Sequence, residues 1–392
     1  MPFLFLPDQQ TLLQEAAGTL FVFGGHVSEA SAPTSSVIQL SVTAAGDSIG
    51  TWAPGPAMLV ADTTMGFATA QNNIFWLDLE ASKSGILDGQ SWSATNLSGT
   101  GYGAAGASWA TRLYVSGGQP LVKGSYDYNS DVSTVRWINT LDGNTVYSAP
   151  PLAVGRSGHA MVAFEDTLFV LGGQTPPLPS GVYPTTDSVE TLELPDGAAW
   201  QPGPALPRAL TGPRAAVYAG SLYVVGGSLD VHLTSIQSSV YVLARPDSQV
   251  WLSAPELPVG RVVFALVTAF SRLWAIGGRV SAGTGNGTEF AHVFDGRSWA
   301  AGPALATARR GHGAGLIVSA VTTTPTTTST TSTTTTTSTT TTTTTPTTTP
   351  TTTTTTSTTT STTTSSSSTP TSMPCIPGYM QTKEKKKKKK KR

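Results

Sequence analysis

The hexapeptide LYVVGG at residues 222–227 recurs as LFVFGG at 20–25, LYVSGG at 113–118, LFVLGG at 168–173 and LWAIGG at 273–278. Each copy runs leucine, aromatic, small β-former, variable residue, then two glycines. A continuous apolar run of strand length indicates a strand buried on both faces. The glycines that end it allow torsions, or a close approach of backbone, that a side chain would forbid. The second glycines are 93, 55, 54 and 51 residues apart. The first interval is nearly double the rest, so a degenerate copy is expected within it. Ile74-Phe75-Trp76-Leu77-Asp78-Leu79 fits, with Asp78 and Leu79 in place of the glycines.

A second marker runs in phase. Trp52, Trp92, Tyr147, Trp200, Trp251 and Trp299 each follow a repeat core, and Pro/Gly clusters such as Pro54-Gly55-Pro56 and Pro202-Gly203-Pro204 come next. Such clusters end strands. Between the markers lie short β-prone segments, among them Val189 to Leu194, whose alternation marks a strand with one wetter face. Each unit of about 50 residues thus reads as four short strands.

Repeat length, paired glycines and downstream tryptophan resemble the kelch family, from Leu12 to about Ser319. The resemblance implies an all-β, kelch-type β-propeller of six blades over 1–321. The second blade, short and lacking glycines, is expected to have only three strands. Arg309-Arg310-Gly311-His312 resembles the opening of another repeat, Arg156-Ser157-Gly158-His159, with no Gly-Gly strand after it. A C-terminal strand completing the N-terminal blade would explain this and hide the sheet edges. The competing reading takes the innermost strand from Leu12 to Ala17 and makes the ring a truncated seven-bladed copy.

Every residue from Thr322 to Ser372 is Thr, Ser or Pro. Such a tract buries too little surface to offset its ordering entropy, so 322–372 and the basic segment 373–392 are expected to be a disordered tail. The tract resembles an O-glycosylated stalk if the protein is secreted, or a plain linker. The lysine run reads as an anionic-surface patch or as a translated adenine-rich transcript end. The formal charge of zero hides an asymmetry, because nine of the 23 basic residues lie at 383–392. The remainder has 14 basic and 22 acidic side chains, a net of −8, so a nucleic-acid footprint is not expected on the propeller. No apolar run reaches a membrane span, and Met1 to Leu6 is too short for a signal-peptide core. The expectation is a cytoplasmic monomer, with a secreted or cell-surface protein as the alternative.

Enzymatic readings can be tested on residue types. Galactose-oxidase-like relatives of the kelch fold need a Tyr cross-linked to a Cys, but Cys375, beyond the tract, is the only cysteine. The specifier-type pattern Glu-x-x-x-Asp-x-x-x-His is missing. None of His26, His159, His232, His292 and His312 is spaced like a zinc helix, so no metal, cofactor or catalytic residue is assigned. His159 and His312 occupy equivalent positions and read as recurring structural residues. Arg156, Arg261 and Arg309 fall at matching positions before the innermost strands, with Arg208, Arg214 and Arg310 close by. These six are the candidate partner-binding residues. A ring of guanidiniums at one mouth would recognise carboxylate or phosphate groups, although the matching positions also suit internal hydrogen bonds. The sequence therefore points to a non-catalytic scaffold that binds a protein partner through mouth loops. The alternative is a small-molecule enzyme or lectin-like binder, sialic-acid mutarotase-like, using an arginine-lined channel mouth.

Overall fold

The computed structural model of the chain describes residues 17–27, 32–42, 50–61, 66–77, 84–95, 101–122, 125–126, 132–141, 145–281 and 286–319. The expected tail, 322–392, lies outside the described residues, as do Asp78, Leu79 and residues 12–16. The described residues form six four-stranded antiparallel sheets and one two-stranded hairpin, Leu121–Val122 with Ser125–Tyr126. Each sheet is a blade. From the innermost strand outward, blade 1 is Gly313–Val318, Gly18–Phe23, Val37–Val42 and Ala53–Pro54, and blade 2 is Gly66–Ala70, Asn73–Leu77, Ser84–Leu87 and Trp92–Thr95. Blade 3 is Ala105–Trp109, Arg112–Ser116, Val135–Asn139 and Val146–Ala149, and blade 4 is Ala160–Phe164, Thr167–Leu171, Val189–Glu193 and Gln201–Pro202. Blade 5 is Arg214–Tyr218, Ser221–Val225, Val240–Leu243 and Leu252–Ala254, and blade 6 is Ala265–Ala269, Arg272–Ile276, Ala291–Phe294 and Trp299–Ala301. The degenerate second blade has all four strands, not the three expected from its sequence. Its short span reflects short connections rather than a missing strand.

The hexapeptides are the second strands, and they are apolar on both faces because each face meets a different blade. In blade 4, Leu168 and Val170 join the cluster containing Tyr114 and Val135 of blade 3. Phe169 and Leu171 join the one containing Leu222 and Val224 of blade 5. Alternate residues of a strand point to opposite faces, so one strand supplies two inter-blade cores. All four are fully buried, each stabilising the ring by roughly 1.5–3 kcal/mol relative to exposure.

The glycine pair redirects the backbone at the end of this strand. Gly226 and Gly227 have φ of 64° and 96°, and the pairs in blades 1, 3, 4 and 6 repeat the pattern. The first glycine still serves its own sheet, its N–H donating to Ser239 O at 2.9 Å. The second donates to the next blade, from Gly227 N to Arg261 O at 2.9 Å. Equivalent bonds run from Gly118 N to Arg156 O, Gly173 N to Leu210 O and Gly278 N to Arg309 O, all at 2.7–2.8 Å. A Cβ on Gly226 would lie 2.5 Å from Arg261 O and one on Gly227 3.0 Å from Thr211 O. Side chains are therefore excluded by both torsion and space.

A second tie recurs at the periphery. The indole N–H of Trp92, Trp200, Trp251 and Trp299 donates to Pro56 O, Pro150 O, Pro204 O and Pro255 O in the preceding blade, at 2.8–2.9 Å. The tryptophan and proline markers are thus two halves of one inter-blade contact. Blade 3 carries Tyr147 in that place, and its ring stacks instead on Trp137 at 4.1 Å.

The ring closes through the C-terminal strand. Gly313–Val318 pairs antiparallel with Gly18–Phe23 along six residues, which settles the innermost strand of blade 1 in favour of the C-terminal segment. Arg309 enters this seam, its guanidinium donating to Gly24 O and Ser36 O at 3.1 and 2.9 Å. Asn72 of blade 2 brackets the far end, donating to Val318 O and accepting from Val318 N. At the periphery Trp52 of blade 1 donates to Pro303 O of blade 6 at 2.9 Å, the same indole–proline tie between the last and first blades. Removing Arg309 to Ser319 would open a sheet edge and two dry blade faces. A chain lacking those residues is expected to melt far lower and to self-associate, whereas one lacking 322–392 is expected to match the full chain. Differential scanning calorimetry with light scattering checks both. Equal melting of the full chain and the one lacking the closing strand would contradict the closure.

Candidate functional site

Antiparallel pairing brings the entrance of each innermost strand beside the exit of the second strand, so both line one mouth of the central channel. The pairing shows in backbone bridges between Tyr102 and Gln119, Ser157 and Gln174, Thr211 and Ser228, Val262 and Arg279, and His26 and Arg310. A cavity of about 290 Å³ opens there, lined by Tyr102, Gln119, Gln174, Arg279 and Arg310 with apolar Val231, Leu233, Val262 and Val263. Deeper in the channel, Arg214, His159 and Met161 border a space of about 80 Å³. Below that the lining is mostly Ala, Val and Thr from the innermost strands.

The six arginines singled out from the sequence separate into two groups, which corrects the idea of one ring at the mouth. Arg156, Arg261 and Arg309 are 1%, 0% and 2% exposed. Each sends its guanidinium back into the blade it opens while its carbonyl accepts the glycine N–H of the blade before. Arg156 Nη1 donates to Gly172 O and Ser188 O, both at 3.1 Å, and Nη2 pairs with the Glu190 carboxylate. Arg261 Nη1 donates to Ala275 O, Gly277 O and Phe290 O, and Nη2 meets His292 Nδ1. Burial lowers the pKa of both, and Glu190 opposes the shift at Arg156. These three are clamps. Leu210 holds the equivalent place in blade 5.

The other three are placed differently. Arg208 is exposed and donates to Gln237 Oε1 at 3.2 Å. Arg214 faces the channel and donates from Nε to Phe264 O at 2.7 Å, with burial lowering its pKa to about 10. Arg310 lines the mouth cavity. Arg279, Gln119, Gln174 and Tyr102 complete the lining and were not singled out from the sequence. Their signal was there, because Gln119, Gln174 and Arg279 each directly follow a Gly-Gly pair.

His159 and His312 are structural. His159 Nε2 meets Ser116 Oγ at 2.8 Å, and both rings lie fully buried against the first glycine of the preceding blade, Gly117 or Gly277. Burial, reinforced by Arg156 and Arg309 respectively, pushes both pKa values down to about 3. Among the described residues no three His, Cys, Asp or Glu side chains are grouped to hold a metal.

No family model matches the chain. Kelch-like protein 33 of Homo sapiens is 36% identical over 126 residues, 32% of this chain and 21% of that protein. Kelch repeat and BTB domain-containing protein 12 of Danio rerio is 29% identical over 158 residues, 39% of this chain and 25% of that protein. The chain thus matches about a quarter or less of the length of these curated relatives. The solved structure described as "Structure of YjhT" superposes with a TM-score of 0.48 and 14% identity, over 68% of this chain and 91% of that one. With its repeats, blades and kelch-named relatives, the chain is a kelch-repeat β-propeller.

The buried histidines set a pH dependence. Their folded pKa lies below the unfolded value of about 6.5, so the unfolded chain takes up protons first as pH falls. Stability is full above about 6.5 and declines towards the folded value. Phe264 holds the corresponding place in blade 6 beside Gly226, so a His312→Phe variant retains an apolar ring there. Urea unfolding between about pH 7 and 5 is expected to give a falling midpoint for the native chain and a shallower fall for His312→Phe. Identical slopes would contradict the assignment.

Proposed function

We propose that the chain is a non-catalytic interaction scaffold whose mouth-side loops engage a protein partner. The observation that carries this reading is the apolar rim beside the cavity. The loop whose base is Gln174 presents Leu178 and Val182, 52% and 56% exposed, and the neighbouring loop presents Leu229. Thr185 Oγ1 donates to Leu229 O at 3.1 Å and ties the two loops together. Pro176, Pro177, Pro179 and Pro184 restrict the first loop, which lowers the entropy lost on docking. Exposed apolar residues grouped beside a polar cavity suit a protein surface. The kelch-named relatives agree with a repeat domain inside larger proteins.

A second reading, a small-molecule binder or enzyme, is favoured by the cavity itself. Its size of about 290 Å³ falls at the low end of ligand pockets, about 300–1,000 Å³. The two readings separate on the rim. A double variant, Leu178→Ser with Val182→Ser, is expected to keep the native melting temperature and to lose the proteins that the native chain captures from extracts of its own cells. Unchanged capture by the double variant would contradict the scaffold reading.

A further inference from the structure

We propose that the end of the channel opposite the arginines binds an alkylammonium group, with its charge against the Glu165 carboxylate and its carbon chain against Trp109, Ala163 and Val217. The proposal is independent of the scaffold reading, because it uses none of the mouth-side residues.

The hairpin tips that join each innermost strand to the second strand surround this end. The first turn residue at the tips of blades 2 to 6 is Gln71, Ala110, Glu165, Ala219 and Phe270, with φ between 48° and 51°. Shared torsions place these five residues equivalently, and only blade 4 puts a charge there. A cavity of about 380 Å³ opens between the tips of blades 3, 4 and 5, with Ser108, Trp109, Ala163, Glu165 and Val217 in its lining. That volume suits a small ligand. Ser108, Ala163 and Val217 also line the channel, so the cavity continues into its Ala- and Val-rich interior.

The lining carries charge of one sign. Glu165 is its only ionisable side chain, it is exposed, and its carboxylate takes part in no hydrogen bond or ion pair among the described residues. The other polar side chains of the lining are already committed. Ser108 Oγ donates to Thr69 O at 2.6 Å, and Trp109 Nε1 donates to Asp166 Oδ1 at 3.1 Å. The second bond fixes the indole across the seam between blades 3 and 4 and holds another carboxylate beside the cavity. Arg112, at the tip of blade 3, is spent on Pro195 O and Asp196 Oδ1. No side-chain donor in the wall is therefore left for an anion, and no cation in it neutralises Glu165.

A carboxylate alone on a surface is merely solvated. This one borders an apolar, aromatic wall, and a ligand with a cationic head and an apolar stem fits both features. Its head keeps contact with water at Glu165 while its stem covers Trp109, Ala163 and Val217, as lysine side chains lie on apolar surface. The indole attracts the same charge. One carboxylate in such a wall offers too few oxygens to hold a calcium or magnesium ion.

The test titrates the isotope-labelled full chain with n-butylammonium, with n-butanol as its neutral counterpart and with butyrate as the anion. Butylammonium is expected to shift the Trp109 indole N–H and the Glu165 amide resonances saturably at millimolar concentration, and the other two are not. Glu165→Gln, at an unchanged melting temperature, is expected to weaken butylammonium binding about fivefold, the upper end for an exposed ion pair. Glu193→Gln, which removes an exposed acid from the third strand of the same blade, is expected to leave it unchanged. Nα-acetyl-lysine N-methylamide distinguishes the source of the group. Affinity equal to that of butylammonium assigns the site to a lysine side chain of a polypeptide, and loss of binding assigns it to a free amine. Absence of a saturable shift at Trp109, an equal response to butanol, or equal weakening by Glu165→Gln and Glu193→Gln overturns the proposal.

Discussion

The ring depends on one backbone hydrogen bond, from the second glycine of a blade to the carbonyl of the residue that opens the next. It is made by Gly118, Gly173, Gly227 and Gly278, and in three of the four cases the acceptor residue is an arginine. The arginine turns a single bond into a clamp, because its head satisfies carbonyls of its own blade, as Arg309 does at Gly24 and Ser36. Apart from the indole–proline tie at the periphery and backbone bonds between strand entrances such as Gly212 N to Gly158 O, neighbouring blades meet through side-chain packing, which is strong but not directional. The clamp supplies register. It also explains why Gly-Gly and Arg-x-x-His travel together in the sequence, since the histidine ring or its phenylalanine substitute packs where a first-glycine side chain would stand.

The same geometry determines what the mouth can do. The clamp residue is immediately followed by the residue that bridges to the position after Gly-Gly, so each clamp places one pair of side chains at the mouth. Arg309 is consumed by the seam and Arg310 reaches the cavity. The scaffold thereby holds a polar cavity on strand ends rather than on free loops, which keeps its donors preorganised. The outer rim, at Leu178, Val182 and Leu229, and the apolar wall at Val231 and Leu233 are carried by longer connections.

Much of the fold was legible because burial on both faces leaves a plain trace: five apolar hexapeptides, each stopped by glycines. The closing strand was legible because a repeat opening stood at Arg309 with no second strand to follow. The strand count of blade 2 was not, since its glycines are replaced and its spacing compressed. The tryptophan and proline markers were each visible, but not that they bond to each other across blades, which spacing along one chain does not reveal. The site was the least legible. Arg309 and Arg310 are identical neighbours in sequence, yet backbone direction sends one inward and one to the cavity. Gln119 and Arg279 matter through their place after a strand end, and neither residue type draws attention by itself.

The most direct test of this account is the unfolding free energy of an Arg156→Met variant. If Arg156 is an inter-blade clamp, the substitution leaves the buried Glu190 carboxylate without its counter-charge, accepting only from Ala153 N, and removes the guanidinium donor from Gly172 O and Ser188 O. Urea unfolding should then show a loss of roughly 3–5 kcal/mol. An unchanged stability, with only partner capture impaired, would contradict the clamp and return Arg156 to the binding surface.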